Sequence, residues 1–181
     1  MKGVFEGFGR LTVEGQLTFS GQWLGGKPHG HGQCVYEKEK ATYTGMWEEG
    51  LWSGEGTLVT ETGYLIRNQF KEGKLYGEGA RNFKSGKTLT GKWINNELVV
   101  GKCANADGTI YEGEWLGGRP HGQGVKTIQG GKRYEGMFSL GRPWGTGAKV
   151  DKSDNKDEGY WDQAKFLKGK TPDEKTEEFN N

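Results

Sequence analysis

The chain has 181 residues, of which 34 are glycine, 31% hydrophobic and 12% aromatic, with a mean hydropathy of −0.86. So polar a composition often means disorder, because too little apolar surface offsets chain entropy, but here glycine and tryptophan recur at a spacing that disorder has no reason to keep. Its 25 basic and 24 acidic residues nearly cancel, so bulk charge points to neither nucleic acid nor an anionic membrane.

In chain order, residues 1–18 read as a partial repeat: Gly3, Gly7 and Gly9 fall on glycine columns, and the first strand of that hairpin would precede Met1. The edge left open is a pairing liability unless something covers it. MKGVFEGFGR lacks the apolar stretch of a signal peptide. Residues 19–156 read as six hairpin repeats. FSGQW, YTGMW, IRNQF, LTGKW, YEGEW and YEGMF begin at residues 19, 43, 66, 89, 111 and 134, and a seventh string, DEGYW, begins at 157. The fifth residues form a column: Trp23, Trp47, Phe70, Trp93, Trp115, Phe138 and Trp161.

A glycine follows three residues later at Gly26, Gly50, Gly73, Gly118 and Gly141, then Gly-x-Gly pairs such as Gly30/Gly32 and Gly122/Gly124. In YEGEW the first, third and fifth side chains share one strand face, giving aromatic, glycine, aromatic, while polar residues take the other. The segments GKPHG, GLWSG, GKLYG, GRPHG and GRPWG read as five-residue loops, and a second strand returns from each Gly-x-Gly pair. A lone hairpin is marginal in water, so stacking of neighbours buries the aromatic column and the glycines leave room for rings. Residues 157–170 read as a degenerate last repeat with Ala164 and no Gly-x-Gly pair. In the acidic tail, 171–181, Thr171-Pro172-Asp173-Glu174 reads as a capping box opening a short helix over 172–179. The expected fold class is all-β, an elongated single-layer antiparallel array of β-hairpins.

Candidate chemistry is sparse. None of the Gly-x-Gly pairs extends to GxGxxG, and no helix follows them to face a phosphate. His29 and His121 occupy one repeat position, with His31 nearby, but no HExxH, clustered cysteine or GxSxG serine accompanies them. Cys34 and Cys103 lie far apart, which supports neither a disulfide framework nor a metal site. The reading is therefore of no catalytic residues, no metal and no cofactor. Lys27, Lys74, Arg119 and Arg142 share one repeat position and form a candidate phosphate-binding row, interrupted by Leu51 and Glu97. A single layer cannot hide both faces, so some column rings are expected to stay exposed as an apolar strip for a partner. The candidate protein-binding residues are Trp23, Tyr43, Trp47, Trp52, Phe70, Tyr76, Trp93, Tyr111, Trp115, Tyr134, Phe138 and Trp144. Among them Trp52, Tyr76 and Trp144 are loop aromatics that need not be buried for hairpins to stack.

The pattern resembles the MORN repeat (membrane occupation and recognition nexus), whose consensus runs roughly YEGEW, then GKxHGxG, then a turn glycine. YEGEWLGGRPHGQG at 111–124 matches almost position for position, and the likeness covers residues 3 to about 161. Asn68 and Asn96 stand where glycine is usual. The resemblance implies a MORN solenoid with an aromatic-lined groove, working as a non-enzymatic protein-binding scaffold of a cytoskeletal assembly, axonemal, ciliary or cortical, in the cytoplasm. The expected partner is an extended or helical protein segment in the groove, and some relatives form homodimers. The alternatives are a membrane-tethering or phosphoinositide-binding adapter, with weak lipid binding, and the MORN segment of a larger enzyme.

Overall fold

The computed structural model describes residues 4–162 and 165–168. It divides into two compact units, Met1–Asn96 and Glu97–Asn181. Every assigned element is a β-strand. The first unit contains β1 (Gly7–Val13), β2 (Leu17–Leu24), β3 (Lys27–Tyr36), β4 (Ala41–Glu48), β5 (Leu51–Thr60), β6 (Leu65–Lys71), β7 (Lys74–Asn82) and β8 (Thr88–Ile94). The second contains β9 (Glu97–Ala104), β10 (Ile110–Leu116), β11 (Arg119–Thr127), β12 (Arg133–Ser139), β13 (Arg142–Val150), β14 (Lys156–Asp162) and β15 (Lys165–Lys168). Within each unit every strand pairs antiparallel with its neighbours in sequence. The expected all-β hairpin array is what the chain forms. The helix expected over 172–179 lies outside the described residues.

The segments read as five-residue loops are not loops. The chain turns on two residues, both with positive φ: Gly25-Gly26 (58°, 76°), Glu49-Gly50 (51°, 83°), Gly117-Gly118 (56°, 72°) and Leu140-Gly141 (49°, 87°). These angles suit the right-handed twist of the flanking strands. Asn95-Asn96 adopts the same shape (50°, 74°), so Asn96 replaces glycine with the residue that best tolerates it. The remaining residues of each segment open the return strand: Lys27, Lys74, Arg119 and Arg142 are the first residues of β3, β7, β11 and β13. The two glycines of a Gly-x-Gly pair do different jobs. Gly30 has φ 61° where the register of β2 against β3 shifts, while a Cβ on Gly32 would stand 2.6 Å from the Phe19 ring.

The last hairpin forms without a Gly-x-Gly pair, since β14 pairs with β15 and brings Trp161 opposite Phe166, ring centroids 5.2 Å apart.

Candidate functional site

The aromatic column is a ladder of rings packed edge to face. Phe19 meets Trp47 at 5.0 Å, Tyr43 meets Phe70 at 5.3 Å, Tyr111 meets Phe138 at 4.9 Å and Tyr134 meets Trp161 at 5.0 Å, each T-shaped. These contacts join the hairpins they bridge, and the glycine row beneath lets the rings sit on bare backbone. Trp47 and Trp115 donate their indole N–H to the Gly32 and Gly101 carbonyls at 3.2 and 3.0 Å. Tyr43, Tyr111 and Tyr134 donate their hydroxyls to the carbonyls of Met46, Glu114 and Met137. Burial pushes the Tyr111 and Tyr134 phenols up to about 12.

This corrects the expectation of an exposed strip. Trp23, Tyr43, Trp47, Phe70, Trp93, Tyr111, Tyr134 and Phe138 are buried, and Trp115 is half-buried. A second layer is not needed to cover them, because each ring covers its neighbours.

Trp52 is a second correction. Its ring lies flat on Tyr43, 4.4 Å away and tilted by 8°, meets Phe70 edge-on at 5.4 Å, and donates its N–H to the Tyr36 hydroxyl at 3.1 Å. It belongs to the core, not to a loop surface. Tyr76 and Trp144 sit one register position further along their strands, so the pleat turns them to the other face, where they are 44% and 45% exposed. The two share a repeat position with His29 and His121, whose Nδ1 atoms are buried without a hydrogen-bond partner. No group of three or more His, Cys, Asp or Glu among the described residues is arranged to hold a metal.

The four basic residues of the row are exposed. Lys27 is ion-paired with Glu49 at 2.7 Å, and no ion pair of Lys74, Arg119 or Arg142 is found among the described residues.

One feature of the second unit was not anticipated from the sequence. An open concavity of about 570 Å³ lies against Tyr134, with Ile128 and Pro143 in its walls and Lys126, Lys132 and Lys149 around it. The signal for it was present only as a difference between repeats, small side chains standing at positions that aromatic residues fill elsewhere.

The MORN repeat family model matches residues 19–38, 43–63, 111–133 and 134–153. Mouse alsin is 32% identical over 121 residues, covering 60% of this chain and 7% of alsin, and human alsin is 31% identical over the same length and shares. The chain thus spans under a tenth of the length of these curated relatives. The matched segments coincide with the hairpins β2–β3, β4–β5, β10–β11 and β12–β13, so these four hairpins are MORN repeats.

Proposed function

We infer that the chain is a non-catalytic scaffold that binds another protein, an extended or helical segment laid across several hairpins. The observation that carries this reading is the placement of Tyr76 and Trp144. The ladder rings cover one another, yet these two large aromatics stand exposed at one repeated register position on their strands, where burial contributes nothing to stacking. Exposed Leu24, Leu51, Leu116 and Leu140 beside the two-residue turns add apolar surface of the same kind. The finer setting, a cytoskeletal or ciliary assembly in the cytoplasm, rests on the resemblance alone.

The test is affinity capture from native cells with the wild-type chain, Tyr76→Ala and Trp144→Ala, followed by mass spectrometry. Both variants are expected to keep the wild-type thermal midpoint while losing captured proteins, each by at least about tenfold in affinity, equivalent to ~1.4 kcal/mol. Identical captures from all three chains would overturn the assignment of these residues.

A second reading is favoured by the alsin likeness, in which so short a MORN stretch occupies a small part of a long protein. There the array serves as the binding segment of a larger chain, which the size of the native product on an immunoblot distinguishes.

A further inference from the structure

The concavity over Tyr134 has a counterpart elsewhere in the chain that is already full. Tyr43 and Tyr134 are equivalent ring positions, each three residues before the carbonyl that takes its hydroxyl. Over Tyr43 lies the stacked Trp52 ring, held by its N–H bond to Tyr36. The residue paired with Trp47 at that site, Trp52, corresponds to the one paired with Phe138, which is Pro143. Tyr36 lies two residues beyond Cys34, the partner of Tyr43. Its equivalent is Ile128, two residues beyond Lys126, the partner of Tyr134. Proline and isoleucine replace tryptophan and tyrosine, and the volume the two rings would take is left open.

The surrounding charge changes in the same place. Tyr43 stands between Cys34 and Leu58 in the register, Tyr134 between Lys126 and Lys149. Two carboxylates, Asp151 and Asp157, also line the concavity. The Asp151 carboxylate accepts from the Ser153 and Asn155 backbone N–H groups and from the Asn155 amide, and Asp157 has an interaction of its own. Arg133 is held by Glu135 and Asp154. Lys149 lies over the Phe166 and Trp161 rings at 4.4 and 5.2 Å, while no ion pair of Lys126 or Lys132 is found among the described residues. The lining holds four basic side chains, Lys126, Lys132, Arg133 and Lys149, against two carboxylates, Asp151 and Asp157, so the concavity combines an open ring-sized volume with an excess of positive charge.

We propose that this concavity takes an aromatic side chain borne on an acidic segment of a partner protein, its ring filling over Tyr134 the volume that Trp52 fills over Tyr43 and its carboxylates meeting Lys126 and Lys132. This deepens the scaffold reading and rests on it. Charge complementarity selects an acidic segment over a neutral one, and the internal stack supplies the template for the ring.

The experiment measures fluorescence anisotropy of a labelled acetyl-Glu-Asp-Trp-Glu-Asp peptide against the full chain. Ile128→Tyr with Pro143→Trp rebuilds the internal pair and should hold or raise the thermal midpoint while weakening peptide binding at least about tenfold. Lys126→Glu with Lys132→Glu should weaken it comparably without touching the ring volume, and it carries the test if the filled variant does not fold. Replacing the peptide tryptophan by alanine should abolish binding. No binding of the peptide by the wild-type chain, equal binding by the filled variant, or preferred binding of ADP over the peptide would each overturn the proposal. Capture from native cells with the wild-type and filled chains separates this idea from the scaffold reading. Partners lost only from the filled chain support the slot. Partners retained equally by both sink the slot and leave the scaffold standing, and none captured by either sinks the scaffold.

Discussion

Asn68 stands in the glycine column and is buried, yet it does not loosen the sheet around it. Its amide donates to the carbonyls of Gln69 and Tyr76 at 2.8 and 3.2 Å. Those are the positions that the Tyr111 hydroxyl serves in its own repeat, the carbonyls of Glu114 and His121. The ring position of this repeat is Ile66, which has no hydroxyl, so asparagine two residues later supplies the missing donor. Gly79 opposite leaves the room that the amide fills. Asn68→Gly alone should therefore strand two part-buried carbonyls and cost about 1–3 kcal/mol. Ile66→Tyr combined with Asn68→Gly should recover most of that loss, because it restores the arrangement of the other repeats. Urea unfolding of the three variants checks this, and a neutral Asn68→Gly would show that the amide does not compensate for the missing hydroxyl.

The hairpins β12–β13 and β14–β15 are joined by more than rings. On the face away from the aromatic ladder, Glu135 accepts from Arg133 at 2.7 Å and from Lys156 at 2.6 Å, and Arg133 also reaches Asp154 at 2.7 Å. Ala148 and Val150 stand opposite Glu135 and Arg133 in the register and are buried. Lys156 and Arg133 hold the Glu135 carboxyl below the usual glutamate range. A carboxylate whose folded pKa is depressed adds stability that is present above its unfolded value and is lost as pH falls through the folded one. The second unit should therefore lose stability on acidification below about pH 4.3, the ordinary glutamate value, and Glu135→Gln should flatten that part of the profile. Thermal melts between neutral and acid pH read it directly, and an unchanged acid slope in the variant would assign the loss to other carboxylates. The strands themselves were legible in the sequence because the spacing of the fifth-position aromatics holds even where Ile66 replaces a ring and Asn68 a glycine. What misled was treating GLWSG and GRPWG as loops. Trp52 is third in its segment and Trp144 fourth, and on a strand that single step separates core from surface. The slot over Tyr134 was hidden for another reason: Pro143 and Ile128 matter only by what they fail to fill, and Lys126 and Lys149 look like ordinary polar positions until the register sets them on the ring face.

Taken as a molecule, the chain carries near-balanced charge, and its basic row is sparse. Lys27 and Lys74 belong to the first unit, Arg119 and Arg142 to the second. Leu51 and Glu97 occupy the equivalent first positions of β5 and β9, so each unit has two basic residues with an interruption. Lys27 is further engaged by Glu49, although that pair is more than half exposed on both sides and so is a weak restraint. A basic residue close to an anionic bilayer gains about 1 kcal/mol, and recognition of phosphoinositides usually draws on clusters of four to eight. Two per unit fall short of that. Among the described residues no aromatic ring is found under Lys27, Lys74, Arg119 or Arg142, whereas Lys149 lies over Trp161 and Phe166. Binding to vesicles containing phosphatidylinositol bisphosphate should accordingly be weak and should disappear as salt is raised, because exposed charges are screened within roughly 10 Å at moderate ionic strength. Co-sedimentation with such vesicles across a salt series, using the wild-type chain and a variant with Lys27, Lys74, Arg119 and Arg142 all changed to Glu, decides the matter. Binding that survives moderate salt in the wild-type chain and vanishes in the variant would make the membrane, and not a protein segment, the first partner of this array.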